Sequence, residues 1–220
     1  MRPVLYGEGL FIDAVAEALE LAVLEPTFCW LADLPQQYRK RELQCTMLRS
    51  ARDQKEPAFI KPAVGKSFAA RVYTSGSELP LPDAYSEDMP VLISEPVQWE
   101  VEFRCFVAER KVATFSAYLR AGQFLEESDW TASLAEVDGA VQFCETVLAD
   151  PAVELPPAVV LDIGYIADRG WAVVEANPAL ASGIYGCDPM SVLEVLEKGI
   201  VPLEALSDAD RRWVVDKTNS

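Results

Sequence analysis

The stretch that most constrains this chain is residues 158–178, "AVVLDIGYIADRGWAVVEANP". Two runs rich in Val, Ile and aromatic residues flank the turn-forming "ADRG", which predicts an antiparallel hairpin. Strand side chains alternate, so Val173, Glu175 and Asn177 share one face and Ala172, Val174 and Ala176 the other. A two- or four-residue connection centred on Asp168-Arg169 sets Asp162 directly opposite Glu175; a three-residue loop would shift that register. Opposed carboxylates repel, so a sheet keeps them only where something positive sits between them. Asp162, Glu175 and Asn177 make an all-oxygen cluster suited to magnesium, above all with phosphate oxygens completing the shell. The alternative, commoner for one motif alone, is a solvated sheet face ending in a turn at "NPA".

The rest of the 220-residue chain supplies a mixed α and β pattern. Residues 9–22, "GLFIDAVAEALELA", place Phe11, Val15, Ala18, Leu19 and Ala22 on one helical stripe. A second helix is expected through "PQQYRKRELQCTMLRSAR" (35–52), with its basic residues towards solvent. The period then changes: "AFIKPA", "ARVYTS" and "PVLISEPV" are short strands divided by Gly, Pro and Ser. "WEVEFRCFVAERKVATFSAYLRAG" reads as two strands turning at "AERK", and "TASLAEVDGAVQFCETVLAD" as an amphipathic helix closed by Asp150-Pro151. A last helix, "MSVLEVLEKGI", precedes a charged, frayed tail. The expected class is α+β, divided as a helical N-terminal region over 1–55, a small β-rich lobe over 56–97, a larger α+β lobe over 98–200 and a tail over 201–220.

Composition removes several kinds of chemistry. The chain has no histidine, which excludes Ser-His-Asp and Cys-His nucleophiles, histidine metal sites and histidine bases. Five cysteines, Cys29, Cys45, Cys105, Cys144 and Cys187, are odd in number and lack any CxxC spacing. They are expected to be reduced and mostly buried, with neither a zinc site nor a disulfide framework. A net charge of −16, from 35 acidic and 19 basic residues, disfavours nucleic acid and requires any anion site to gather its cations locally. No apolar run approaches the roughly 20 residues of a membrane span, and "MRPVLYGEGLF" lacks a secretory signal's apolar core. A cytoplasmic protein with no membrane partner is expected.

Two further segments carry candidate chemistry. "FIKPAVGKSF" contains Gly65-Lys66-Ser67, but a phosphate-binding P-loop needs glycine at position 60, where Ile stands, and a helix after it. What remains is Lys61 on an apolar strand, for which a salt bridge and a phosphate contact are equally good accounts. In "SEPVQWEVEFRCFV", Glu100, Glu102, Arg104 and Phe106 share one face and Val101, Phe103, Cys105 and Val107 the other. A nucleotide there could use the Val97 N–H for adenine, Glu102 for ribose hydroxyls and Arg104 for phosphate; an ordinary Glu/Arg ladder would look the same.

In this order, the strand lysine of "FIKP", the hinge "SEPV", "VEFRCFV", "VLDIG" and "VVEANP" resemble the ATP-grasp superfamily, nearest to its clade with two arginines and one lysine. The resemblance covers residues 56–198. It implies an ATP-grasp-like fold in which two α+β lobes sandwich ATP, with residues 1–55 as a partial pre-ATP-grasp region. It further implies that Lys61 reaches adenine N7 and the α-phosphate, that Glu95 and Val97 are hinge contacts to adenine, and that Glu102 binds ribose. Arg104 would take phosphate, Arg71 would be the second clade arginine, and Lys66 and Arg120 further phosphate contacts. Lys61 and Arg104 would serve catalysis, and Asp162, Glu175 and Asn177 would hold Mg2+.

Two departures qualify what carries over. Many ATP-grasp ligases place an arginine soon after the metal-binding asparagine, whereas Asn177 here leads into "PALASGIYG". Relatives also have a fuller region ahead of "VLYGEGLF". The expected function is an ATP- and magnesium-dependent ligase that activates a small-molecule or peptide carboxylate as an acyl phosphate for attack by an amine or thiol, alone or with a homo-oligomeric or protein partner. The alternatives are a nucleotide-binding module without ligase activity and a phosphotransferase acting on a non-carboxylate substrate.

Overall fold

The computed structural model describes residues 4–215. The elements begin with α1 (Gly9–Ala18), β1 (Leu21–Val23), α2 (Trp30–Asp33), α3 (Gln36–Arg39), β2 (Leu43–Met47) and α4 (Leu48–Ala51). Strands β3 (Ala58–Pro62), β4 (Arg71–Tyr73), β5 (Pro90–Ser94), β6 (Trp99–Ala108), β7 (Lys111–Arg120) and β8 (Gln123–Phe124) follow. The chain continues through α5 (Leu134–Ala149), β9 (Ala158–Ile166), β10 (Gly170–Asn177), α6 (Pro189–Leu196), β11 (Ile200–Pro202) and α7 (Asp208–Arg211). Among the described residues no helix is long and apolar enough to cross a membrane.

The chain divides into two units. The larger comprises residues 4–26 and Gln98–Val215, and the smaller Thr27–Val97. The expected 1–55 region therefore does not hold together. Its first part joins the larger unit because β1 pairs antiparallel with β11, Leu21 facing Pro202 and Val23 facing Ile200. The same pairing draws the start of the expected tail into the fold; residues 216–220 lie outside the described residues.

In the larger unit an antiparallel sheet runs in the order β10-β9-β6-β7-β8. The β6–β7 turn is the two-residue Glu109-Arg110, both with positive φ (47° and 63°), a conformation whose twist matches the strands it joins. Helix α5 covers one sheet face through Ala140, Cys144, Val147 and Leu148. Gly139 is required there, since a Cβ at this position would lie 2.5 Å from Trp171 Nε1. Ser133 caps α5 in a capping box with Glu136. On the other face Phe106, Val160, Leu180 and Ile12 join Val192 and Val195 in one cluster. Burial of Phe106 alone contributes about 2–3 kcal/mol. This apolar cover occupies only the Phe106 end of the face and leaves the Arg104 and Glu102 end polar.

Helix α1 is shorter than expected and buries a different stripe. It ends at Ala18, Glu20 turns with φ 54°, and the buried residues are Ile12 and Ala16. Phe11 and Leu19 are exposed, and Ala22 is buried as part of a strand.

The smaller unit is a four-stranded antiparallel sheet in the order β2-β5-β3-β4, with Leu48, Ile60, Tyr73, Val91 and Ile93 in its core. The helix expected over 35–52 is replaced by α3, β2 and α4. Lys40, at φ 48°, stops α3, and residues 43–47 pair with β5 from Leu43–Ser94 to Met47–Pro90. Ladder hydrogen bonds and an alternating Leu43 and Cys45 outweigh the local helical pattern.

Cys29 and Cys45 form a disulfide with their Cα atoms 5.4 Å apart, which corrects the expectation of five free thiols. Cys105, Cys144 and Cys187 are free and buried, as expected. The bond ties the residue before α2 to β2 and closes a loop that holds α2 and α3. A double Cys29→Ala, Cys45→Ala variant should lose about 3 kcal/mol of unfolding free energy under oxidising conditions, the loss expected for a loop of this length. Denaturant unfolding with and without reductant checks this: reductant should destabilise the parent chain and leave the variant unchanged.

Candidate active site

Four residues align across the larger sheet. Arg104 on β6 faces Ser116 on β7 to one side and Asp162 on β9 to the other, and Asp162 in turn faces Glu175 on β10. The hairpin reaches this register by another route than the expected one. Ile166 pairs with Gly170 across a three-residue loop, and a bulge between Val173 and Glu175 returns the register by one residue. The opposition of Asp162 and Glu175 thus depends on the extra residue Val174.

The groups on this rung satisfy one another. Arg104 grips Asp162 with a two-pronged contact, Nε to Oδ1 at 2.9 Å and Nη2 to Oδ2 at 2.7 Å. Arg104 Nη1 donates to the carbonyl oxygen of Gly183 at 3.1 Å. Asn177 Nδ2 donates to Glu175 Oε1 at 2.9 Å and to Asp162 Oδ2 at 3.3 Å. Between the two carboxylates, then, lies a neutral amide, and the positive charge sits one strand away. With its nitrogen committed, the oxygen of Asn177 is the atom left for a cation. Glu102, also buried, accepts a hydrogen bond from Tyr118 Oη at 3.0 Å.

Electrostatics follow from burial. Asp162 is fully buried, and this pushes its carboxyl up to about 6; Arg104 pulls it back, and Glu175 adds to the rise. Burial works against the Arg104 charge, yet the hydrogen bonds and charge of Asp162 more than offset it and hold the guanidinium proton above its ordinary value. Burial raises the Tyr118 hydroxyl, with Asp162, Glu102 and Glu175 adding to the effect. These groups remain as Arg+, a carboxylate-rich edge and a neutral phenol.

Two aromatic rings flank Arg104. Its guanidinium carbon lies 4.7 Å from the Tyr185 ring centroid and 5.1 Å from that of Tyr118, and the two rings stack at 5.0 Å. Neither tyrosine stood out in the sequence. Tyr118 is the residue skipped where the register shifts between Glu102–Leu119 and Phe103–Ala117, and such a bulge has no signature in composition.

The other sequence candidates lie elsewhere. Arg120, at the end of β7, pairs with Glu136 at 2.7 and 3.1 Å. The remaining five belong to the smaller unit. Lys61 is half-buried on β3, with Leu92 opposite. Lys66 is exposed in the turn after Gly65, and Arg71 pairs with Glu78 at 3.1 Å while lying 3.9 Å from the Tyr73 ring centroid. Glu95 is tied to Glu42 by its backbone N–H at 2.8 Å and its carboxylate at 3.3 Å. Glu95 also lines a cavity of about 350 Å³ with Glu42, Gln54, Ala58, Ile93 and Pro96. Val97 is the last residue of this unit before the chain crosses to the larger one.

Oxygen donors from Asp162, Glu175 and Asn177 suit a hard cation such as magnesium, because a divalent ion would be met by two carboxylates and an amide. Among the described residues no group of three His, Cys, Asp or Glu side chains stands at metal spacing, and this cluster has two carboxylates and an amide.

The family described as ATP-grasp domain, R2K clade family 2, matches residues 38–195. This chain belongs to it. Its α+β architecture is similar to that of D-alanine–D-alanine ligase from Bacillus anthracis, with a TM-score of 0.51 at 13% identity, covering 86% of this chain and 74% of that one. It is also similar to the ATP-grasp ligase PsnB complexed with a minimal precursor, with a TM-score of 0.41 at 18% identity, covering 71% of this chain and 52% of that one. The chain thus spans about half the length of PsnB. No curated protein matches the sequence.

Arg120 has a structural partner, and its removal reports on that role. Glu136 is held down to about 2, first by Arg120 and then by the N-cap contacts of Ser133. Because its folded value lies below the unfolded one, its stabilisation is present above about pH 4 and is lost as pH falls towards 2. Arg120→Gln should weaken that acid dependence and cost less than about 1 kcal/mol at pH 7 for a partly exposed pair. Urea titrations between pH 2 and 7 measure both effects.

Proposed function

We propose that this chain is an ATP- and magnesium-dependent ligase that activates a small-molecule or peptide carboxylate as an acyl phosphate for capture by an amine or thiol. The observation that carries this reading is the rung of buried Arg104 and Asp162 and part-buried Glu175, bridged by Asn177, within a chain that belongs to the ATP-grasp family. With no histidine in the chain, positioning and charge stabilisation are the means left for phosphoryl transfer. Magnesium, when bound by Asp162, Glu175 and Asn177, neutralises phosphate charge. Arg104 supplies its charge and the second N–H groups of Nη1 and Nη2 to phosphate oxygens, and its two-pronged tie to Asp162 keeps the guanidinium oriented. Glu102 remains the proposed ribose ligand; Lys61, Lys66, Arg71, Glu95 and Val97 remain proposed nucleotide contacts of the smaller unit. Binding of a nucleotide without ligation is the second reading, favoured by the absence of an arginine in "PALASGIYG" after Asn177.

The test separates function from fold at one position. Glu175→Gln keeps an oxygen for the Asn177 amide and removes one of two neighbouring carboxylates, so the variant should be as stable as the parent or slightly more so. It should nevertheless lose the rise in melting temperature that Mg·ATP gives the parent by binding the native state. Asn177→Ala should lose that rise too, and about 1 kcal/mol of stability with the bridge. Turnover with ATP labelled at the α- and γ-phosphates should yield ADP and phosphate, dependent on a carboxylate and abolished by chelator. Formation of AMP would exclude an acyl phosphate, and stable ATP with every carboxylate and amine tried would favour the second reading.

A further inference from the structure

The segment after Asn177 is the part of the chain that the proposed reaction leaves without a role. It lacks the arginine of many ATP-grasp ligases, yet it folds directly onto Arg104. A 3-10 turn at Ala179–Ala181 is buried in the core through Ala179 and Leu180, and the buried Ser182 donates to the Pro178 carbonyl oxygen at 2.8 Å. The chain then presents the Gly183 carbonyl to Arg104 Nη1 at 3.1 Å and the Tyr185 ring to its guanidinium at 4.7 Å. Tyr185 adopts φ 47°, an uncommon conformation for a bulky side chain, which persists only where the surroundings over-determine it. Those surroundings are aromatic: Tyr118 stacks on the ring at 5.0 Å, Trp130 lies at 5.3 Å and Phe124 at 5.7 Å. Trp130 is itself at φ 57°, and a Cβ on Gly186 would come within 2.6 Å of its Cβ, so the two segments meet at a glycine.

Asp162 fixes two of the guanidinium nitrogens, Nε and Nη2, and leaves Nη1 and the ring-facing surface to the Gly183–Tyr185 segment. We propose that Tyr185 is a positioning residue: its ring, with the Gly183 carbonyl, holds the plane of the Arg104 guanidinium so that the remaining N–H groups of Nη1 and Nη2 receive a nucleotide phosphate. The phosphate part of this inference rests on the proposed function; the hold on Arg104 does not. The contact belongs to the ring face, so the hydroxyl of Tyr185 is dispensable and its aromaticity is not.

Tyr185→Phe and Tyr185→Leu test this, because Phe and Leu meet the same backbone strain as Tyr and differ in the ring alone. The first measurement is solvent exchange of the Arg104 guanidinium N–H groups by 15N NMR, on nucleotide-free protein. Exchange should be slow in the parent and in Tyr185→Phe, and about five-fold faster or more in Tyr185→Leu. The second is Mg·ATP affinity by calorimetry, expected to be unchanged in Tyr185→Phe and about five-fold weaker in Tyr185→Leu, the scale of a partly desolvated cation–π contact. Equal protection in the parent and Tyr185→Leu would overturn the positioning role, and equal loss in Tyr185→Phe would overturn the ring as its cause. If the parent does not bind Mg·ATP while the exchange rates change as expected, the proposed function fails and the hold on Arg104 stands. Should Tyr185→Leu lose its dispersed amide spectrum, Tyr185→Met supplies a flexible side chain of similar reach with the same expected outcomes.

Discussion

The buried pair of Arg104 and Asp162 is the constraint around which the larger unit is organised. Removing two charges from water costs several kcal/mol each, and a pair recovers that cost only with good geometry and satisfied remaining hydrogen-bonding groups. Both conditions hold. The fork is two-pronged at 2.7 and 2.9 Å, the third guanidinium nitrogen finds Gly183, and Asn177 serves the carboxylate. Loss of either partner would strand a charge among Phe106, Val160 and their neighbours, at a cost of about 3–5 kcal/mol. Two apolar residues of the same volume would cost the fold little. Stability alone therefore does not account for placing this pair at the centre of a sheet; the proposed function does, by giving Arg104 an anionic ligand.

That rung also explains the division of the sheet face. Phe106 and Val160 lie two residues from Arg104 and Asp162 on the same face of their strands, and α1, α6 and the turn at Ala179–Ala181 cover them. The cover stops at the rung. Beyond it the face carries Glu102 and Tyr118, while Glu175 lies on the rung itself and Asn177 lies beside Val160 on the covered side. The β6–β9 pair is thus apolar core at one end and polar at the other, with the buried ion pair as the border between them.

How much of this was legible follows from which interactions are local. Asp162, Glu175, Asn177, Glu102 and Arg104 were marked by alternation along single strands, and the structure brings the first three together with Arg104. Their register was reached in spite of the loop, since the bulge at Val174 cancels the slip of a three-residue connection, and a bulge is decided by twist and neighbours rather than by composition. The β2 strand was read as helix because its local pattern is helical while the ladder with β5 is distant in sequence. The Cys29–Cys45 bond joins residues 16 apart with no spacing signature, in a chain whose odd cysteine count argued for free thiols. Arg71 and Arg120 were marked by charge, yet charge does not reveal a partner, and each has a carboxylate within 3.1 Å.

The bridging amide gives the site its particular character. Had a lysine or arginine lain between Asp162 and Glu175, the two carboxylates would be neutralised where they meet, and a cation would have to displace that charge to enter. Asn177 instead offers Nδ2 to both carboxylates without adding charge. Asp162 is paired with Arg104, whereas Glu175 is only part-buried and lies one strand further from that charge. Charges of opposite sign therefore stand two strands apart on one rung, Arg104 on β6 and Glu175 on β10, with Asp162 fixed between. An ordered pair of that kind complements a ligand that itself carries both signs side by side, which is what a divalent cation on a polyphosphate presents. Under the proposed function, either half of such a ligand alone would meet a like charge on the rung, Arg104 for the metal and Glu175 for the anion, so the two would bind better together than apart.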